Sequence, residues 1–264
     1  MKKYIAIAQI LFKAQIIYRF DVAMTALETI GRVLFAWLVW GAIFEGREVV
    51  GGFGFEAMLM YYVISSFLSS LDKSWVIGEE VSSRIRGGTF SKFMVIPAHP
   101  QAHFLAQTFG ATAYYALFAL PVAVFSGFVF GASGNVGQAV NVVLGITMIP
   151  LGMVFMVTYH YLIGLMAFKF QDVWVFRYCQ SAVVQFAQGG FVPLNLLPVM
   201  ALGVLQLLPF PHVVYTPTML LMGKMDLQEG LFSFCMLVVW TSVMLVVAYL
   251  TYNRLRNKYD GVGI

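Results

Sequence analysis

The chain has 264 residues, of which 60% are hydrophobic, 16% are aromatic and only 11% are charged. Soluble domains carry about 25% charged residues, so this composition excludes an ordinary soluble protein and indicates one that lies in a lipid bilayer. It also excludes a disordered chain and a nucleic-acid-binding protein with a dense basic face. The two cysteines, Cys179 and Cys235, are far apart in sequence and frame no disulfide scaffold.

The segment 1–20 is predicted to be an amphipathic helix at the membrane interface. Ile5, Ala8 and Phe12 recur at helical spacing, and nearby lysines can reach lipid headgroups. Lys13 and Arg19 interrupt the segment, which argues against a cleavable signal peptide. The alternative is a frayed leader.

Six apolar stretches follow, and each is predicted to cross the membrane as a helix, because about 20 apolar residues span a hydrocarbon core about 30 Å thick. None alternates as the strands of a transmembrane barrel would. The sequence therefore predicts an all-α membrane protein with one domain over residues 1–264. The predicted spans are 22–44, 55–71, 104–130, 140–168, 173–191 and 231–250.

The basic residues are distributed unequally between the two sides of these spans. Thirteen of the 16 lysines and arginines fall on one side, two on the other and one, Arg32, within the first span. Cytoplasmic loops carry the excess of basic residues, so both termini are predicted to be cytoplasmic. The thirteen are Lys2, Lys3, Lys13, Arg19, Lys73, Arg84, Arg86, Lys92, Lys169, Arg177, Arg254, Arg256 and Lys258.

The cytoplasmic segment 78–97 is the longest charged segment of the chain. Gly87 and Gly88 are expected to break a helix, after which Phe90 and Phe93 repeat at helical spacing. An apolar face flanked by basic residues is typical of a helix that lies at the membrane surface and binds in a groove of a partner protein. An ordinary solvated loop is the alternative.

The external segment 193–221 is apolar but is interrupted by five prolines. Because proline breaks helices and lipid does not tolerate unpaired backbone, we predict a re-entrant hairpin that is covered by protein. A seventh, kinked span through 194–208 is the alternative. It is disfavoured because it would place the basic C-terminal tail outside.

Ionisable residues within or near the spans are functional candidates by default, and these are Asp21, Glu28, Arg32, Asp72 and His160. Glu28 and Arg32 are four residues apart, which favours an ion pair facing the bundle. His160 is expected to be a hydrogen-bonded interior residue, with a proton relay or ligand as the alternative.

Signatures of catalysis are missing from the sequence. It has no His/Cys cluster at zinc spacing and no G-x-S-x-G. Lys224 follows Gly223 but is not part of a phosphate-binding loop, because Met225 follows it and the upstream glycine is lacking. The chain is therefore predicted not to be an enzyme, to bind no metal or cofactor, and to be unable to hydrolyse ATP alone.

The run from Arg84 to Phe93, the external motifs around Phe191 and the six spans together resemble the permease subunits of ATP-binding-cassette transporters of the second exporter type. The resemblance covers nearly the whole chain. It implies that segment 78–97 is a coupling helix seated on a separate ATPase and that segment 193–221 is an external gate. The implied coupling residues are Arg84, Ile85, Arg86, Gly87, Gly88, Phe90 and Phe93. The implied gate residues are Phe191, Pro193, Pro198, Pro209, Pro211 and Pro217.

The same resemblance implies an inner-membrane exporter of an amphipathic or lipid-like solute in a bacterial or archaeal cell. Two permeases, identical or paralogous, would work with two ATP-binding subunits, which bind the ATP and Mg. The implied path lies between the permeases and is lined by aromatic and Met side chains, with lipids and no nucleic acid as further partners. A secondary ion-coupled carrier and a non-transporting membrane scaffold are the rival interpretations.

Overall fold

The computed structural model describes residues 2–17, 19–96, 98–130, 136–170 and 173–256, which form a helical bundle. An isolated β-bridge joins Val50 and Phe53 in the turn between the second and third helices. The α-helices are α1 (Lys2–Ala14), α2 (Arg19–Ile43), α3 (Phe55–Leu71), α4 (Trp75–Arg86), α5 (Lys92–Val95), α6 (Pro100–Val129), α7 (Ala139–Leu165), α8 (Trp174–Ala187), α9 (Val199–Gln206), α10 (Tyr215–Leu221) and α11 (Leu227–Leu255).

Within the described residues, four helical segments are long and apolar enough to cross a membrane. They are Phe20–Ile43, Pro100–Val129, Ala139–Phe168 and Leu227–Leu255. The pair Val199–Gln206 and Phe210–Leu221, bent by 78°, makes a fifth if it is one broken span. The prediction of an all-α, multi-pass protein is thus confirmed.

The count of six spans stays a prediction. α3 has the predicted bounds but only 17 residues, and α8 has 14 because the chain turns at Gly189 and Gly190. A helix rises about 1.5 Å per residue, so each is shorter than a hydrocarbon core about 30 Å thick.

The central helix of the bundle is α7, whose Met148, Phe155 and Tyr161 are fully buried. Its glycines permit close approach. A Cβ on Gly164 would lie 2.6 Å from the side chain of Val81 in α4, and one on Gly145 would lie 3.3 Å from the carbonyl oxygen of Pro217 in α10. The two contacts are at opposite ends of α7, which we call the α4 end and the hairpin end.

The N-terminal helix α1 lies along the first half of α6. The Tyr4 hydroxyl accepts a hydrogen bond from the backbone N–H of His99, and the Phe12 ring meets the Tyr114 ring edge-on at 5.6 Å. Between these contacts Gly110 faces Ala8, where an added Cβ would lie 2.2 Å from the Ala8 carbonyl oxygen. α1 is therefore docked on the bundle rather than frayed from it.

The substitution Gly110→Ala is expected to displace α1. Its methyl group would overlap the backbone of Ala8, and such overpacking costs about 1–3 kcal/mol. Gly41→Ala is the matched control, because an added Cβ there has no atom within 4 Å. Thermal unfolding of the purified protein, with limited proteolysis of α1, measures the effect. Equal melting temperatures and equal proteolysis in the two variants would contradict this packing.

Candidate functional site

A cavity of about 400 Å³ lies among α2, α3, α7 and α8. Glu28 and Arg32 line it from α2, and His160 lines it from α7. The structure thus brings together the three ionisable residues that the sequence singled out within the spans. Because ionisable side chains within membrane spans are costly, their convergence on one cavity marks it as the candidate site.

The predicted ion pair between Glu28 and Arg32 is present. Nη2 of Arg32 lies 2.7 Å from Oε1 of Glu28. His160 is buried as expected, but its Nδ1 atom has no hydrogen-bond partner in the part of the chain that the structure describes. The imidazole therefore keeps an unused donor or acceptor in the cavity wall.

A second acid and base enter the cavity from the segment between α3 and α4. Oδ1 of Asp72 accepts a hydrogen bond of 2.9 Å from the backbone N–H of Ser74. The Lys73 ammonium donates to Oγ1 of Thr25 at 3.4 Å and lies 3.9 Å from the centroid of the Tyr115 ring. Burial lowers the pKa of Lys73, an effect that the carboxylates of Glu28, Asp72 and Asp21 oppose.

The rest of the cavity wall is mostly polar, and sequence reasoning missed it. A signal was available, because the serines of α3 and the polar residues of α8 recur at spacings of three and four within apolar helices. Aromatic and Met side chains, which were expected along the path, are represented here by Trp75 and Met156. The missed polar residues are Ser66, Ser69, Ser70, Ser181, Gln185 and Gln188.

Toward the hairpin end, two hydrogen bonds hold the loop after α8 against α3. The Tyr61 hydroxyl donates to the carbonyl oxygen of Gly189 at 2.7 Å, and the Tyr62 hydroxyl donates to that of Phe191 at 2.6 Å. Gly189 has a φ of +76°, a conformation that favours glycine. The loop is thus fixed to α3 directly beyond Gln188, which lines the cavity.

The segment after this loop places the predicted gate residues in different environments. Pro193, Pro209, Pro211 and Pro217 are buried, whereas Phe191 and Pro198 are exposed. α10 packs inside the bundle, but α9 is uncovered, with Val199 87% and Met200 85% exposed. Protein therefore covers one arm of the predicted hairpin and not the other.

Side chains satisfy backbone carbonyls that the prolines leave without helical partners. Nε1 of Trp240 donates to the carbonyl oxygen of Leu207 at 3.0 Å, and Nε2 of His212 lies 3.0 Å from that of Gln206. Asn195 donates to the carbonyl oxygen of Gly51 across the turn between α2 and α3. An irregular segment at membrane depth needs such partners.

The coupling segment breaks at the predicted glycines. α4 ends at Arg86 with Gly87 as its C-cap, and Gly88 has a φ of +71° before a short 3-10 helix and α5. The apolar face is turned inward, however, because Ile85, Phe90 and Phe93 are buried in a cluster that other helices of the same chain complete. Those three side chains are not a free face for a partner's groove.

The outer face of the coupling segment is what a partner could contact. Arg86 and Gly87 are exposed there; Arg86 forms an ion pair with Glu79 at 3.6 Å, and Arg84 forms one with Glu80 at 2.7 Å. Beyond α5, Val95 is 85% exposed and Ile96 is 47% exposed. The contact of this segment with an ATPase stays a prediction, and the last residue of segment 78–97, a proline, lies outside the described residues.

Arg177 ties the cavity-lining helix α8 to α4. Its guanidinium pairs with Glu79 and donates to the carbonyl oxygen of Trp75 at 3.1 Å. Trp75 itself lines the cavity. Any shift of α4 relative to α8 therefore changes the cavity wall.

Among the described residues, no group of three or more His, Cys, Asp and Glu side chains could hold a metal ion.

A multi-pass helical bundle with a polar cavity is typical of the membrane component of a transporter. The sequence profile of the ABC-2 family transporter proteins matches residues 30–263. The chain therefore belongs to the ABC-2 transporter family, as the sequence resemblance indicated, and is a transport component rather than an enzyme. Membership implies association with an ABC ATP-binding subunit. A search of the curated proteins found no match.

The substitutions Tyr61→Phe and Tyr62→Phe are expected to lower stability by about 1–3 kcal/mol each, because each leaves a loop carbonyl without its donor. Tyr178→Phe is the matched control, since Tyr178 is 74% exposed. Denaturation of the purified protein in mixed micelles measures the differences in unfolding free energy. If all three variants unfold like the wild type, the two hydroxyls do not hold the loop.

Proposed function

We propose that this chain is the permease subunit of an ATP-driven exporter that moves an amphipathic or lipid-like solute across the inner membrane of a bacterial or archaeal cell. The observation that carries the proposal is the cavity, which lies toward the α4 end of the bundle. We infer that the loop held by Tyr61 and Tyr62 closes the cavity toward the hairpin end. A solute loaded at the α4 end would leave when that closure opens.

The direction of transport follows from the orientation. The excess of basic residues assigns the α4 end to the cytoplasm, together with both termini. Lys258, one of these residues, lies outside the described residues. The cavity is then loaded from the cytoplasm or the inner leaflet, which supports export rather than import.

Two permease copies, identical or paralogous, would act with two ATP-binding subunits that hold the ATP and Mg. Apolar side chains support a partner within the membrane, because Phe35 in α2, Val183 in α8 and Val199 in α9 are all more than 60% exposed. The ATPase would contact the outer face around Arg86, Val95 and Ile96. Lipid would cover the apolar surface that the second permease leaves exposed.

The coupling of ATP use to transport would run through the contacts that α4 makes with α7 and α8. ATP-driven closure of the ATPase pair would move α4, and Val81 would carry that motion to Gly164 of α7. Arg177 would carry it to α8 through Glu79. Rigid-body movement of packed helices would then widen or close the cavity.

The orientation is tested by labelling a cysteine at Ser91, an exposed residue just before α5. Cys179 and Cys235, both free and exposed, are first replaced by serine. An impermeant thiol reagent is expected to leave Ser91→Cys unlabelled in intact cells and to label it after permeabilisation. Arg47→Cys, on the opposite side, should react in intact cells. Labelling of Ser91→Cys in intact cells would reverse the orientation.

The function is tested by purifying the chain with its ATP-binding subunit and reconstituting both in liposomes. Arg86→Glu reverses a charge on the outer face of α4 and is expected to reduce ATPase affinity at least tenfold, about 1.4 kcal/mol. Arg47→Glu makes the same charge change at the hairpin end and should have no effect. Unchanged ATPase recovery and transport in Arg86→Glu would remove this face from the mechanism.

The same liposomes separate the rival functions. An exporter needs ATP and works when ionophores have dissipated the ion gradients. The unpartnered Nδ1 of His160 is the observation that supports a secondary carrier. Transport by such a carrier would cease when ionophores are added and would not depend on ATP. A scaffold would recruit its partner without moving a solute.

A further inference from the structure

The charges that line the cavity are balanced in number but not all neutralised by one another. Two acidic side chains, Glu28 and Asp72, face two basic ones, Arg32 and Lys73. Glu28 and Arg32 neutralise each other in an ion pair of 2.7 Å. Among the ion pairs formed by the described residues, none includes Asp72 or Lys73. The cavity wall therefore includes one carboxylate and one ammonium that form no direct ion pair, although the carboxylates of Glu28, Asp72 and Asp21 all act electrostatically on Lys73.

Both groups have hydrogen-bonding capacity left. An ammonium has three donors; Lys73 directs one to Thr25 at a long 3.4 Å, and its ammonium also lies 3.9 Å from the centroid of the Tyr115 ring. A carboxylate accepts at about four positions, and Asp72 receives the backbone N–H of Ser74 at one of them. Burial penalises the charged form of Lys73, as the lowered pKa shows. A ligand that supplies the missing partners would be favoured.

The net charge of the wall selects among ligand classes. An anion would pair with Lys73 but would be repelled by Asp72 and Glu28. A cation would pair with Asp72 but would be repelled by Lys73 and Arg32. A neutral polar group could hydrogen-bond to both but would bring no opposite charge to either. A zwitterion offers a partner to each and brings no net charge into a partly desolvated space.

We propose that the cavity binds a zwitterionic headgroup, with its anionic centre on Lys73 and its cationic centre on Asp72. The claim that this ligand is the cargo of an exporter rests on the proposed function. The claim that the ligand binds in the cavity does not. Ser66, Ser69 and His160 line the same cavity and supply neutral hydrogen bonds to the headgroup. The separated charges thus define the substrate class as a zwitterionic amphiphile.

The apolar part of such an amphiphile has a place beside the cavity. Leu27 adjoins Glu28 in α2 and is 59% exposed, and Val183 follows the cavity-lining Ala182 in α8 and is 67% exposed. An acyl chain can lie along these side chains while the headgroup stays in the polar cavity. A headgroup without chains should therefore bind more weakly than the complete amphiphile.

The test measures binding by the purified full chain, with any ATP-binding subunit that co-purifies, in neutral maltoside micelles without nucleotide. Dioctanoyl probes that differ only in headgroup are titrated calorimetrically: phosphoethanolamine, phosphoglycerol, trimethylammonium and glucosyl. The phosphoethanolamine probe is expected to bind about tenfold more tightly than the other three. Glycerophosphoethanolamine, which lacks the chains, shows whether the ligand is an amphiphile or a soluble zwitterion.

Two substitutions assign the charges. Lys73→Gln should weaken binding of the phosphoethanolamine probe about tenfold. Binding of the trimethylammonium probe should be unchanged or tighter. Asp72→Asn should also weaken phosphoethanolamine but spare phosphoglycerol. Arg47→Gln, at the far end of the bundle, is the control. Each variant tests one charge by itself. The test therefore needs only one variant that is folded, as judged by the same elution volume as the wild type in size-exclusion chromatography.

Equal affinity for the four headgroups, tightest binding of a charged or glucosyl probe, or preferences that neither variant alters would each overturn the proposal. None of these outcomes involves ATP. If the chain selects zwitterions but the reconstituted complex does not transport, the proposed function fails and the binding site stands. If transport is ATP-driven without headgroup selection, the reverse holds.

Discussion

The structure depends on the close packing that glycines permit along α7. In lipid, helices gain little from burying apolar surface against each other, so small residues that let backbones approach carry much of the association. Gly164 admits Val81 of α4, Gly152 admits Val213, and Gly145 admits the start of α10 around Pro217. One continuous helix therefore contacts both the coupling segment and the segment proposed as a gate. This arrangement gives the two ends of the molecule a direct mechanical connection.

A second constraint is that polar groups at membrane depth need partners. In the proline-rich segment, the carbonyl oxygen of Leu207 accepts a hydrogen bond from Trp240 of α11, and the segment's own Asn195 donates to the carbonyl oxygen of Gly51. The cavity meets this constraint only in part, because His160, Asp72 and Lys73 keep unused capacity.

The coupling segment shows how one amphipathic pattern can serve two surfaces. Its apolar residues, among them Ile85 and Phe90, complete the core of this chain near Tyr161. Its charged residues remain outside, where Arg86 is exposed and Glu79 joins Arg177 of α8. A partner that moves this segment would pull on the core and on the cavity wall together, because both are attached to the same short helix.

The sequence by itself determined the features that depend on composition and on near neighbours in the chain. These are the membrane class, the bounds of α3, the break at Gly87 and Gly88, and the ion pair of Glu28 with Arg32, whose partners are only four residues apart. Only the tertiary structure decided which helices share a cavity, which face of α4 points inward and that Tyr61 reaches Gly189 across 128 residues of chain. The physical reason is that hydropathy and spacing report the environment of each helix face, whereas the identity of its neighbours is set by packing between segments distant in sequence.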